Sequence, residues 1–209
     1  MTAAPIVPVP RPQRRAGAHG SGSGGRSGTR FHGGVAAGGR LDVGPARTRD
    51  AATVATIQRR VWLDTYPSAE HAITVADLCT RLDGDLPGRW RRQIGTCGPR
   101  RQVFVARHGQ GAVGFAAVAV AESGRHWLGA LYVLAAAQGR GVGSALLDLA
   151  LGWHGCSDVY ADVAAYNTHA LAFYDRHGFE AAGEPALDLT GSSMGLTPIP
   201  LVRLVHRVD

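Results

Sequence analysis

The 209-residue chain contains no lysine; every one of its 22 Lys/Arg positions is arginine. A Walker A phosphate loop, which needs Gly-Lys followed by Ser or Thr, is therefore excluded. Cysteine is scarce. Cys79, Cys97 and Cys156 are odd in number, widely spaced and free of any C-x-x-C pair. Neither a disulfide framework nor a zinc cluster is expected, and a reducing cytoplasmic setting is the simplest reading. The nine histidines show no H-x-x-x-H spacing, so no metal site is expected. Long apolar runs are also missing. The longest, Ala112 to Ala121, is broken by Gly114 and reaches about half of the ~20 residues a membrane span needs. It reads as a buried strand. A secretory signal is not expected either, because Ile6 to Val9 is interrupted by prolines and precedes the first arginines.

What is present divides the chain in two. The net charge of +6 suggests a polyanion partner until it is located. Arg11, Arg14, Arg15, Arg26, Arg30 and Arg40 face only Asp42 in the first 44 residues, which accounts for five of the six charges. The excess belongs to residues 1–42, a Gly/Pro/Arg-rich basic tail containing the run G-S-G-S-G-G from Gly20 to Gly25. Such a composition buries too little apolar surface to offset its ordering entropy, so disorder is expected there. No aromatic interleaving accompanies the arginines, so no specific nucleic-acid partner is expected.

From Val43 to Asp209 the pattern is that of one globular domain. Asp50 stands at an N-cap position before Ala51, Val54, Ile57, Val61 and Trp62, which recur at helical spacing up to Tyr66-Pro67. Weaker helical signals cover Val75 to Leu82 and the surroundings of Trp90. Gln102–Arg107, Val113–Ala121 and His126–Val133 read as strands of an antiparallel meander. A helix from Gly143 to about His154, a strand from Ser157 to Ala164, and a helix from Asn167 to His177 follow. Strands near Pro185–Leu189 and Leu201–His206 close the chain.

The most informative segment runs Leu131-Tyr132-Val133-Leu134-Ala135-Ala136-Ala137-Gln138-Gly139-Arg140-Gly141-Val142-Gly143-Ser144. A strand ends, a short loop follows, and glycines at alternate positions open a helix. Glycine lets backbone N–H groups approach a ligand closely, and a helix N-terminus adds unpaired donors and partial positive charge. The place suits an anionic group such as a pyrophosphate. A dinucleotide fingerprint, G-x-G-x-x-G, would need glycine at position 144, which is Ser144. Asp162 lies near where that fold's ribose-binding acid belongs, which keeps a nicotinamide-dependent oxidoreductase as an alternative. Five residues between strand and first glycine, and the preceding antiparallel strands, count against it.

Gln138-x-x-Gly141-x-Gly143 resembles the pyrophosphate loop Q/R-x-x-G-x-G/A of the GCN5-related N-acetyltransferase (GNAT) superfamily. Asn167, Ala170, Phe173, Tyr174, Gly178 and Phe179 resemble that superfamily's second block, N-x-x-A-x-x-F-Y-x-x-x-G-F, in the right order and on the right element. The resemblance implies an α/β (α+β) fold with a mixed, mostly antiparallel sheet of six to seven strands flanked by helices. It implies acetyl-coenzyme A (or another short acyl-coenzyme A) as co-substrate and a primary amine as acceptor, in a small molecule, a protein N-terminus or a lysine side chain. It is compatible with a homodimer. By the same resemblance, a bulged segment at Leu131, Tyr132 and Val133 pairs with the pantetheine arm. The amides of Gly139, Arg140, Gly141, Val142, Gly143 and Ser144 hold the pyrophosphate, with Gln138 opening the loop. Asn167 contacts the cofactor arm, and Tyr174 protonates the departing thiolate. The chemistry fits independently, since a phenol of pKa ~10 and a thiol of pKa ~8.5 exchange protons usefully. A coenzyme A-binding module without catalysis is the other alternative. For a general base, Asp64, Glu70, Glu122 and His126 are candidates by rough location, and none is singled out. Acceptor recognition is expected from Trp62 to Arg100.

Overall fold

The computed structural model describes residues 40–109, 111–188 and 196–208, with backbone alone over 184–188. The expected tail therefore lies outside the described residues as far as residue 39, as does Leu189.

Seven strands form one sheet in the order β1-β2-β3-β4-β5-β7-β6. They are β1 (Leu41–Pro45), β2 (Arg101–His108), β3 (Gly111–Val120), β4 (His126–Val133), β5 (Val159–Ala164), β6 (Phe179–Asp188) and β7 (Ile199–His206). Five helices flank it: α1 (Ala51–Thr65), α2 (Val75–Leu82), α3 (Leu86–Gly95), α4 (Val142–His154) and α5 (Thr168–Asp175). All neighbouring strands run antiparallel except β4 and β5. This is the mixed, mostly antiparallel sheet expected, at its larger size.

Period-2 alternation sorts the side chains of the sheet into two cores. Val103, Val105, Phe115, Ala130 and Tyr132 pack on one face with Val54, Ile57 and Trp62 of α1, Leu78 of α2 and Trp90 of α3. Phe104, Ala106, Leu131, Val133 and Val163 pack on the other with Leu146 and Leu147 of α4 and Phe173 of α5.

Two expectations need correction. β1 is absent from the sequence reading, which starts the domain at Val43. Its Leu41 and Val43 are buried while Asp42 between them is exposed. Five residues that include Gly44 and Pro45 resemble a linker until β2 supplies their hydrogen bonds. Asp50, in turn, does not cap α1 with its side chain. Its carboxylate accepts from the Arg47 backbone N–H at 2.7 Å and from the Arg107 guanidinium at 2.6 Å. It closes the preceding 3₁₀ turn and ties that turn to β2.

At the start of β4, His126 Nδ1 lies 2.9 Å from His154 Nδ1 at the end of α4. One nitrogen must donate and the other accept, so the pair holds with at least one ring neutral. Burial, with His126 adding to it, pushes His154 down from 6.5 to about 4. Because the folded value lies below the unfolded one, the associated stability is complete above pH 6.5 and lost as pH falls through 4. The expected loss between neutral pH and pH 4 is about 3 kcal/mol. Urea midpoints across that range should fall more steeply for the wild type than for His154→Leu.

Candidate active site in a split between two parallel strands

β4 and β5 pair at only two positions, His126 with Val159 and Trp127 with Tyr160. Beyond these the strands part. β4 continues against β3 as far as Val133 opposite Gly114, and β5 continues against β7 as far as Ala164 opposite Leu201. The facing edges of Leu128–Val133 and Ala161–Ala164 thus have no strand between them. Backbone N–H and C=O groups along such an edge demand partners, and a slot with two such edges suits an extended, amide-containing ligand. The strand irregularity that helps open the slot is not at Leu131–Val133 as expected. Ala130 pairs with Ala117 and Leu128 with Val118, which leaves Gly129 as the extra, bulged residue.

The glycine-rich loop sits at the end of β4. Its first part is pinned: Leu134 N–H donates to Val113 O at 2.9 Å, and Gln138 Nε2 donates to Val133 O at 3.1 Å. Gly139 and Gly141 have φ of +72° and +76°, left-handed values that favour glycine. Gly141 is the N-cap of α4 and supplies no side-chain cap. The first intrahelical bond runs from Ala145 N–H to Gly141 O at 3.0 Å. The amides of Val142, Gly143 and Ser144 belong to the uncapped first turn, with the partial positive charge of the helix end behind them. A Cβ on Gly143 would come within 3.3 Å of the Phe173 ring, so glycine there lets α5 pack close. Arg140 is exposed. It borders a cavity of about 220 Å³ between the loop and the ends of β1, β2 and β3, away from the β4–β5 split.

On α5, Asn167 is buried, and its Oδ1 accepts from Ala170 N–H at 3.1 Å, the N-cap its position calls for. Tyr174 is almost wholly buried, and its hydroxyl has no hydrogen-bond partner among the described residues. Burial, reinforced by Tyr132, pushes its pKa well above 10. Tyr132 belongs to the opposite core, where its hydroxyl accepts from Trp62 Nε1 at 2.9 Å. Tyr66 bonds to Tyr132 and is also pushed well above 10, by burial first and then by Tyr132, Tyr174 and Tyr166. Tyr166 donates to Tyr66 O at 2.9 Å, and burial raises it to about 12 against the opposing charge of Arg81. Four of the chain's five tyrosines therefore gather around the split, reached from both faces of the sheet. The sequence reading selected Tyr174 and the backbone of Tyr132. It missed the Tyr66–Tyr132–Tyr166 group, since these residues lie on three separate elements and share no local spacing.

None of the four general-base candidates joins this group. Asp64 is exposed and bonded by Arg60 at 2.8 Å; Glu70 and Glu122 are exposed; His126 is engaged with His154. Asp162 is buried in β5 and held by Arg203 through two bonds of 2.8 and 2.9 Å. The dinucleotide alternative assigns that carboxylate to a ribose and requires a doubly wound parallel sheet. Neither condition is met, because the carboxylate is occupied and β4–β5 is the single parallel pair among the described residues.

An open sheet divided between two central parallel strands, with a glycine-rich loop leading into a helix at the division, is the architecture of GNAT acetyltransferases. The N-acetyltransferase PaiA of Thermoplasma acidophilum, solved with coenzyme A, superposes with a TM-score of 0.58 at 14% identity, covering 81% of this chain and 99% of that one. A GCN5-related N-acetyltransferase from Kribbella flavida gives a TM-score of 0.57 at 18% identity, covering 80% and 98%. Arabidopsis thaliana Naa50, solved with the bisubstrate analogue CoA-Ac-MVNAL, gives 0.53 at 18% identity, covering 79% and 97%. No curated protein matches in sequence. Residues 99–181, from just before β2 to the start of β6, match the family model described as an acetyltransferase (GNAT) domain.

Proposed function

We propose that this protein is an N-acetyltransferase that moves an acetyl group from acetyl-coenzyme A to a primary amine by direct attack in a ternary complex. The observation that carries the reading is the Tyr174 hydroxyl, buried and unpartnered beside a split that exposes two strand edges. An unsatisfied buried hydroxyl costs about 1–3 kcal/mol, and a thioester ligand lying in the split would relieve that cost. The residues therefore fit the group. Leu131, Tyr132 and Val133 offer backbone partners to the pantetheine arm, with Asn167 at its side. The loop from Gln138 through Gly139, Arg140, Gly141, Val142 and Gly143 to Ser144 offers backbone donors to the pyrophosphate. When bound, acetyl-coenzyme A supplies an activated acyl carbon and a thiolate leaving group.

The chain's own residues account for the remaining requirements. A β4 backbone N–H left free by the split stabilises charge on the carbonyl oxygen. Tyr174 holds its proton at every physiological pH, since its pKa is raised; as the C–S bond breaks it delivers that proton to the sulfur, and the phenolate takes back the proton shed by the newly acylated nitrogen. The buried walls exclude water from the slot. The neutral amine enters from the side of α1 and α2, where Tyr66, Tyr166 and His71 stand, and His71 stacks on Tyr166 with ring centroids 4.7 Å apart. No helix among the described residues is long and apolar enough to cross a membrane.

The test is release of free thiol from acetyl-coenzyme A with a panel of primary amines: small polar amines, polyamines, aromatic amines and peptides with free N-termini. Amine-dependent release by at least one class is the expected result. Tight binding of acetyl-coenzyme A without turnover of any class would favour the non-catalytic binding module.

A further inference from the structure

Ser144 and His177 form a connection that the reading above leaves unused. Ser144 Oγ, in the first turn of α4, lies 3.0 Å from His177 Nε2. His177 Nδ1 lies 2.8 Å from Phe173 O, and the His177 ring packs on the Phe173 ring at 4.3 Å between centroids. A carbonyl oxygen only accepts, so Nδ1 carries a hydrogen. In the neutral ring Nε2 is then an acceptor, and the Ser144 hydroxyl spends its hydrogen on it. In that state Ser144 Oγ has only lone pairs left to offer a neighbour, which opposes an anion at the helix end.

One proton reverses this. With both ring nitrogens protonated, Nε2–H donates to Ser144 Oγ, and the serine hydrogen is released to point at an anion. His177 follows the last turn of α5, where the partial negative charge of the helix end favours a cation, while the N-terminus of α4 disfavours one until an anion arrives. The ionic groups on the packed elements are exposed and screened: Arg140 and Asp148 beside Ser144, and Asp175 and Arg176 beside His177. Beyond Gly178, Glu180 is taken by Arg207 at 2.6 Å, and His206 packs on Phe179 at 5.2 Å between centroids.

We infer that His177 is a positioning residue for the pyrophosphate: binding of the anion takes up a proton on His177 and recruits the Ser144 hydroxyl as an additional charge-assisted donor. The inference rests on the cofactor reading and extends it, because it links the grip on the anion to the turn that follows Tyr174.

The experiment is calorimetric titration of dephospho-coenzyme A into the full chain at neutral pH, in buffers of different ionisation enthalpy. This ligand retains the pyrophosphate but lacks the 3′-phosphate, whose own second ionisation near pH 6 would confuse the count. The dependence of the heat on the buffer gives the protons exchanged. The wild type is expected to take up a fraction of one proton, and His177→Gln none. Ser144→Ala, which leaves the ring and its bond to Phe173 in place, is expected to lower the uptake and weaken binding roughly tenfold or more. Binding without proton uptake, or uptake that persists in His177→Gln, overturns the inference. Absence of binding by the folded wild type overturns the cofactor reading as well, a result distinct from binding without linkage.

Discussion

Replacing Tyr174 by phenylalanine is expected to lower acetyl transfer by ~10²-fold or more, with acetyl-coenzyme A affinity nearly unchanged. The structure makes this substitution unusually easy to interpret. The hydroxyl has no partner among the described residues, so its removal breaks no bond seen in the free protein. It also removes a desolvated polar group, and the variant should be as stable as the wild type or more stable by about 1 kcal/mol. A drop in turnover with an unchanged or raised melting temperature would therefore report on chemistry alone. The pH profile carries the same argument. Burial raises Tyr174 well above 10, so its proton is retained throughout the usable alkaline range. The wild-type rate should climb as the amine acceptor deprotonates and then level off, with no falling limb below about pH 10. Unchanged turnover in Tyr174→Phe would remove the tyrosine from the mechanism; a falling limb near neutrality would point to another acid.

Gly141→Val should weaken acetyl-coenzyme A binding by roughly 30-fold or more. At φ +76° and ψ 0° Gly141 is in the left-handed region, where a β-branched residue is strongly disfavoured. Holding valine there costs about 1–3 kcal/mol, and escape from the strain would rotate the first amides of α4 away from their common direction. Nothing lies within 4 Å of an added Cβ at Gly141, so the penalty comes from backbone conformation and not from crowding. Gly152, exposed inside α4, provides the control. A Cβ there also meets open space, but its φ is ordinary, so Gly152→Ala should leave binding unaltered and add about 1 kcal/mol of helix stability. Equal loss of affinity in both variants would contradict this account of the loop.

Legibility followed the range of the interactions. His126–Val133 and Val75–Leu82 match β4 and α2 to the residue, although the helical signal over Val75–Leu82 is among the weaker ones. The glycine loop and the Asn167-to-Phe179 block were legible for a related reason: each is a local arrangement of backbone requirements, left-handed glycines in one and an N-cap in the other. β1 was not, since its five residues become a strand only against β2, some 60 residues away. Nor was the position of the bulge, which depends on the register between β3 and β4. The tyrosine group is the clearest case: Trp62 and Tyr132 are 70 residues apart, and Tyr66 and Tyr166 are 100 apart. Asp162 shows the opposite hazard. Its position fitted a ribose ligand, while its carboxylate was committed to Arg203, 41 residues downstream.

The central claim is that the β4–β5 split and its glycine loop grip acetyl-coenzyme A. Calorimetric titration of acetyl-coenzyme A into the full chain, with NADPH as the control ligand, tests it most directly. The account predicts one site of micromolar affinity for acetyl-coenzyme A and no heat from NADPH. A folded protein that ignores acetyl-coenzyme A, or that binds NADPH in its place, would contradict it.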